Sequence, residues 1–235
     1  MFVSAGTLTA TAAVYVPAFG ARPARLRAAR PVERPMRAAT APAGRIVGST
    51  AKRALDVTGA LLGLLLAAPI LLLAALAVRY EGGPGILFRQ QRVGLGGATF
   101  TLYKLRSLRP AGTEADTRWS IADDTRLGPV GRFIRKTSID ELPQLINVLR
   151  GDMSLVGPRP ERPHFADRFA ASIPGYADRH RVRPGLTGLA VVHGLRGDTS
   201  IPLRAHYDNR YIDTWTLTQD LTIIVRTVRH LATGS

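Results

Sequence analysis

The chain has 235 residues, 46% of them hydrophobic and 21% charged, with 32 Lys and Arg against 17 Asp and Glu and no cysteine. That apolar content is ample for a packed core and excludes a wholly disordered chain. The missing thiols exclude a disulfide scaffold, a cysteine-ligated zinc or iron–sulfur site and a thiol nucleophile. The net charge of +15 points to phosphate-bearing partners, whether nucleic acid, anionic lipid or a nucleotide.

About half of the charge sits at the start. Residues 1–53 hold nine Lys and Arg against Glu33 alone. Residues 1–49, rich in Ala, Pro and Arg without helical or strand periodicity, read as a disordered basic leader. No Lys or Arg precedes the mildly apolar residues 8–19, which argues against a secretory signal.

Residues 57–78 then run 22 positions without a charge. As a helix they would cover about 33 Å, enough to cross a hydrocarbon layer. Pro69 falls just past the middle and removes one backbone donor. Basic residues flank both ends, so the excess of cations on one side gives no orientation. A spanning helix with a proline kink and a re-entrant hairpin returning to the same face are both compatible with these facts.

Beyond the turn cluster Gly82-Gly83-Pro84-Gly85 the chain reads as globular. Residues 86–88 and 98–103 are predicted strands joined by a turn at Gly94, Gly96 and Gly97. Residues 109–124 form a polar loop, and residues 130–136 a short apolar and basic segment suited to a membrane surface. Helices are predicted over 139–149, ending at Arg150-Gly151, and over 164–173. Leu217, Leu221, Ile224, Val228 and Leu231 recur at helical spacing, so the C-terminus is an amphipathic helix.

Two adjacent carboxylates, Asp140 and Glu141, stand at the start of the predicted 139–149 helix, where exposed N–H groups favour anions. One is placed to attack phosphorus while the other orients it or binds a cation. Ser138 and Glu141 also match a capping box, which explains both without chemistry. Pro143 complicates that alternative, because it falls beyond the free first turn.

Cations gather in sequence around this pair: Lys104, Arg106, Arg132, Arg135 and Arg159, the last fixed between Pro158 and Pro160. A rigid guanidinium fork suits a diphosphate. The glycine-rich basic stretch from Arg183 through His193 and Arg196 to Asp198 suits a phosphate or nucleotide loop. No GxxxxGK[ST] or strand-placed GxGxxG occurs, and the five histidines lack metal-ligand spacing. Tyr207, Tyr211 and Trp215, at four-residue steps, form one aromatic face on the core or at the lipid interface.

Taken in order, the blocks Lys52-Arg53-Ala54-Leu55-Asp56, Gly85 to Gly94, Lys104-Leu105-Arg106-Ser107, Ser138 to Gln144, Arg150 to Pro160, Pro184 to Leu189 and Tyr207-Asp208…Trp215…Asp220 resemble the bacterial sugar transferases. These are monotopic polyprenyl-phosphate phosphoglycosyltransferases, and the resemblance covers roughly residues 50–232. It implies an α+β, mainly helical, membrane-embedded monotopic domain with one re-entrant or spanning N-terminal hydrophobic helix. The implied organisation is a leader over 1–49, a membrane helix over 50–81 broken at Pro69, and a cytosolic catalytic domain over 82–235.

The implied reaction moves a sugar-1-phosphate from a UDP-sugar to polyprenyl (undecaprenyl) phosphate and releases UMP. It would prime exopolysaccharide or O-antigen-type synthesis on the cytoplasmic face of the bacterial inner membrane. Asp140 would be the nucleophile with Glu141 beside it, Mg²⁺ would sit on both, and Lys104, Arg106, Arg132, Arg159 and Arg196 would contact phosphate or substrate. Membrane lipid is an implied partner, and nucleic acid is not.

The sequence departs from the resemblance in two places. Ala68 stands where many members have Ser before the proline, and Val191 and His193 stand where many have Gln and Asn. Larger relatives add four spanning helices upstream, so this chain reads as the minimal catalytic form with a basic leader. A non-catalytic relative of the family is one alternative, and a basic nucleic-acid-binding protein tethered to the membrane is the rival from another class. It would show a steep salt dependence.

Overall fold

A computed structural model describes residues 41–108 and 127–233. The expected disorder of residues 1–40 and the polar loop over 109–124 lie outside the described residues. The last part of the expected leader belongs to the fold: α1 (Ala41–Gly48) is helical, with Ala43 and Ile46 buried against Val156, Tyr211 and Ile212.

The long apolar segment forms α2 (Thr50–Gly82). Ser49 caps it by accepting the Lys52 N–H at 3.1 Å, and Gly83, at φ 74°, ends it in a conformation that favours glycine. α2 continues through Pro69 as one helical run. A proline costs one hydrogen bond, to the carbonyl four residues back, and the neighbouring turns remain intact.

One stripe of α2 is inward: Asp56, Ala60, Ala67, Ala74 and Val78 are buried. The rest points outward, with Leu65, Leu66 and Leu73 between 68% and 75% exposed. By length and composition α2 is able to cross a membrane. The inward stripe meets the rest of the domain on both sides of Pro69. Ala60 and Leu64 pack with Leu145 and Val148, while Ala74 and Val78 pack with Leu105 and Ile134. At Gly59 a Cβ would stand 2.6 Å from Leu155 Cδ1, so the Leu155 side chain would have to shift.

Two small sheets follow. β1 (Leu87–Val93) and β2 (Thr99–Leu105) form an antiparallel hairpin pairing Leu87 with Leu105 and Val93 with Thr99. Both strands are longer than the apolar runs suggested, because backbone pairing extends through Arg89, Gln90 and Gln91 regardless of polarity. Gly96 and Gly97, both at positive φ, make the connecting turn. β3 (Ser154–Val156) and β4 (Gly185–Thr187) pair in parallel.

Six helices surround these sheets: α3 (Pro129–Lys136), α4 (Gln144–Arg150), α5 (Pro163–Ser172), α6 (Leu189–Val192), α7 (Ile201–Asp213) and α8 (Leu217–Thr233). The helix predicted over 139–149 divides into a 3₁₀ turn (Ile139–Glu141) and α4, with Pro143 as the residue before α4. The fold is thus mainly helical with short strands, as expected.

Polar anchors join α2 to this body. Arg53 donates to the carbonyls of Val148 and Leu149, both at 2.7 Å, closing the end of α4. Lys52 lies between Asp56, at 3.3 Å, and Asp220, at 2.8 Å, all three buried. Asp220 also accepts Tyr211 Oη–H at 2.8 Å and Trp215 Nε1–H at 3.1 Å.

That cluster sets the rotation of α8. Asp220 and Ile223 face inward, so of the predicted apolar stripe Leu221, Val228 and Leu231 are exposed, while Ile224 packs against the core and Leu217 is partly buried. The expected aromatic face divides in the same way. Tyr211 and Trp215 hold the core cluster, while Tyr207 stacks on His193 with ring centroids 4.5 Å apart.

Candidate active site

Four segments converge on the acidic pair. Buried Asn147 joins two of them, donating from Nδ2 to the Thr101 carbonyl at 2.7 Å and accepting the Tyr103 N–H at 3.1 Å. α4 is thereby locked to β2, and β2 brings Lys104 to Glu141. Lys104 Nζ donates to Glu141 Oε1 at 2.8 Å. From the loop after β3, Arg159 donates through Nη2 to Oε1 at 2.5 Å and through Nη1 to Oε2 at 3.2 Å.

The capping-box alternative fails in this geometry. Ser138 makes no capping hydrogen bond and sits in the left-handed region at φ 58°, unlike every other non-glycine residue described. Positive φ in a residue with a Cβ is strained and is held by its surroundings. Here it reverses the chain between α3 and the 3₁₀ turn, which turns Asp140 into the protein and leaves it 7% exposed.

The two carboxylates have opposite electrostatic settings. Burial would raise the Glu141 pKa, but the charges and hydrogen bonds of Arg159 and Lys104 outweigh it and hold the group well below its usual range. Asp140 is raised, by burial first, with Lys104 opposing and the Glu141 charge reinforcing. Among the described residues no hydrogen bond or ion pair falls on the Asp140 carboxylate. Adjacent groups with pKa values pushed apart are suited to different tasks. Glu141 is a fixed anion holding two cations, and Asp140 is a more basic carboxylate with free lone pairs.

The predicted cations separate on inspection. Lys104 and Arg159 are at the pair. Arg196, between α6 and α7, feels both Arg159 and Glu141; partial burial and Arg159 lower its pKa and Glu141 opposes. Two others are elsewhere. Arg106 donates to the carbonyls of Pro84, at 2.5 Å, and Gly83, at 2.8 Å, and so closes the turn after α2. Arg132 is exposed and donates to the Leu127 carbonyl at 3.0 Å.

The α3 cation whose charge reaches Asp140 is Arg135, with Nε on Ser107 Oγ at 2.7 Å. The two α3 arginines are three residues apart, and only the rotation of the helix decides between them. Arg92 was legible only as part of a matching block. It donates to the Pro160 carbonyl at 3.0 Å, and burial lowers its pKa to about 10.

With this geometry established, sequence comparison gives the family. The family model described as bacterial sugar transferase matches residues 47–234. The chain belongs to the bacterial sugar transferase family. This sugar transferase is 50% identical over 196 residues to the UDP-glucose:undecaprenyl-phosphate glucose-1-phosphate transferase of Caulobacter vibrioides, covering 82% of this chain and 73% of that protein. It is 40% identical over 185 residues to the UDP-N-acetylgalactosamine-undecaprenyl-phosphate N-acetylgalactosaminephosphotransferase of Aeromonas hydrophila, covering 78% and 44%. Against the UDP-glucose:undecaprenyl-phosphate glucose-1-phosphate transferase of Escherichia coli it is 40% identical over 181 residues, covering 75% and 39%. The sugar transferase therefore matches less than half the length of the latter two proteins.

Proposed function

We propose that this sugar transferase moves a sugar-1-phosphate from a UDP-sugar to polyprenyl phosphate through a covalent intermediate on Asp140. The step would prime exopolysaccharide or O-antigen-type glycan synthesis. The observation that carries the reading is the unpartnered, raised Asp140 carboxylate beside a Glu141 that holds Lys104 and Arg159.

In the first half-reaction an Asp140 oxygen attacks the β-phosphorus of the UDP-sugar. The bond from that phosphorus to the bridging oxygen breaks, and UMP leaves with the electron pair. In the second, a phosphate oxygen of the polyprenyl phosphate attacks the same phosphorus and the Asp140 carboxylate is released. Arg159 and Lys104 stabilise the charge spread over the transferring phosphoryl oxygens. A basic carboxylate without hydrogen-bonded protons has less to give up on attack, which suits Asp140 over Glu141 for bond formation.

Magnesium commonly keeps several waters and takes one or two carboxylates together with substrate phosphates. Among the described residues no cluster of three or more His, Cys, Asp or Glu could hold a metal. Asp140 has free lone pairs, whereas both Glu141 oxygens already accept hydrogen bonds from cations. The residues thus fit an ion held by Asp140 and the diphosphate better than one shared by both carboxylates. When bound, Mg²⁺ would offset phosphate charge.

Attachment to one face of the inner membrane is supported by α2. Its outward leucines suit hydrocarbon, and its inward stripe packs on one domain both before and after Pro69. A helix running straight across a bilayer would carry its second half away from that domain. This arrangement keeps the site beside the membrane, at the height of a lipid phosphate.

The test uses purified full-length enzyme with UDP-sugar radiolabelled in the sugar-phosphate and with polyprenyl phosphate withheld. Label should remain on the polypeptide after denaturation and leave when acceptor is added. Asp140→Asn should retain no label and lose at least about 1,000-fold in turnover. Near-normal turnover by that variant would defeat the assignment.

A further inference from the structure

The loop that presents Arg159 is held along its backbone by four donors. Gly185 N–H donates to the Pro158 carbonyl at 2.8 Å, and Arg179 Nη2 donates to the Arg159 carbonyl at 2.8 Å. Arg92 Nη1 donates to the Pro160 carbonyl at 3.0 Å, and Val93 N–H donates to the Glu161 carbonyl at 2.9 Å. Four consecutive acceptors are satisfied from three parts of the chain, Arg92 and Val93 being neighbours on β1, and the two prolines fix φ on either side of Arg159. The backbone is rigid while the Arg159 side chain is about one-third exposed.

Two of these four donors are backbone amides of β4 and β1, which the fold supplies without further provision. The other two are arginine side chains, Arg92 partly buried and Arg179 fully so, at 2% exposure. Its Nη2 also pairs with Asp208 of α7 at 2.5 Å, and its Nη1 donates to Tyr176 Oη at 2.9 Å. Asp208 is itself almost fully buried. Arg179 Nε is without a hydrogen-bond partner.

A buried ion pair with an unsatisfied donor is a poor stabilising device, because desolvation offsets much of the Coulombic gain. What this pair does that an apolar pair cannot is aim a charged donor at one particular carbonyl. That carbonyl belongs to the residue whose guanidinium meets Glu141.

We propose that Arg179, held by Asp208 and Tyr176, is a positioning residue that sets Arg159 for the diphosphate through the Arg159 carbonyl. This rests on the reading of Arg159 as a phosphate contact. A guanidinium spans three partners with a fixed fork, whereas a lysine at the same place has one nitrogen on a flexible stem. Small displacements of a phosphate-gripping group cost binding steeply. The Arg179 effect should therefore vanish once Arg159 is no longer there to be positioned.

The experiment is a double-mutant cycle read by calorimetric binding of UDP, a probe that needs neither turnover nor knowledge of the sugar. Full-length wild type, Arg179→Lys, Arg159→Lys and the double variant are compared in one detergent, with thermal unfolding of each. Arg179→Lys should weaken UDP about tenfold, and the double variant should bind no more weakly than Arg159→Lys alone. Penalties that multiply, or wild-type affinity in Arg179→Lys, overturn the positioning role. If Arg159→Lys itself binds UDP normally, the phosphate reading of Arg159 fails, and positioning fails with it. Asp208→Asn serves as the second variant should Arg179→Lys not fold, with the same expected non-additivity.

Discussion

Arg159 and Glu141 meet fork to fork, Nη2 on Oε1 at 2.5 Å and Nη1 on Oε2 at 3.2 Å, with Lys104 Nζ sharing Oε1 at 2.8 Å. The glutamate is thus the fixed negative centre that arranges two cations, and its neighbour Asp140 is left without a partner. Paired carboxylates one residue apart have been separated in role by their surroundings.

Glu141→Gln keeps the shape but removes the charge that holds Lys104 and Arg159. Both cations would lose their common anchor and shift from the phosphate position. Turnover should fall about 10- to 100-fold, with the fold intact by circular dichroism. Activity within about threefold of wild type would show that the two cations are held by other means.

The pH profile follows from the shifted pair. Attack requires ionised Asp140, so kcat/KM should fall on the acid side as this group protonates, at a pH above its ordinary value of 3.8. Glu141, held low, stays charged through that limb. Lys104→Met removes the largest charge that lowers Asp140, so in that variant the limb should move to higher pH. A shift in the other direction contradicts the electrostatic account. Linkage gives the sign for stability. The lowered Glu141 contributes stability above its unfolded value of 4.5, and this is lost as pH falls through its folded value. The raised Asp140 costs stability once pH exceeds 3.8.

Arg106 and Arg135 provide a contrast. Arg106→Ala removes two hydrogen bonds at the turn after α2 and should cost about 1–2 kcal/mol of stability while leaving UDP affinity unchanged. Arg135→Ala removes a positive charge felt by Asp140 and should move the acid limb to higher pH. The result to refute this is an unchanged limb in Arg135→Ala together with weakened UDP binding in Arg106→Ala.

Lys52→Met leaves Asp56 and Asp220 buried without their shared cation. Breaking such a cluster costs about 3–5 kcal/mol, so the thermal midpoint should drop by about 10 °C. A fall of less than about 2 °C would mean that the hydroxyl, indole and amide donors around the two aspartates suffice.

The proposed attachment of α2 to one face is open to labelling, because the chain has no native cysteine. Thr50→Cys and Tyr80→Cys, near the two ends of α2, should react with an impermeant maleimide from the same side of sealed vesicles. Reaction from opposite sides would establish a spanning helix.

The sequence by itself determined the adjacent carboxylates, the arginine fixed between prolines and the uncharged stretch of membrane length. These are local properties of composition and spacing, and no tertiary contact is needed to read them. The spacing alone could not divide the work between Asp140 and Glu141, which only the resemblance assigned, since their different settings depend on Lys104 and Arg159, 37 and 18 residues away from the glutamate. Nor could it choose Arg135 over Arg132, assign Arg106 to a turn, or direct Leu221, Val228 and Leu231 of the α8 stripe outward. Helical periodicity gives the relative directions of side chains, whereas packing decides the absolute rotation. For α8 that choice was made by Asp220 on Lys52, a buried charge whose counter-ion is distant in sequence and in contact only through the fold.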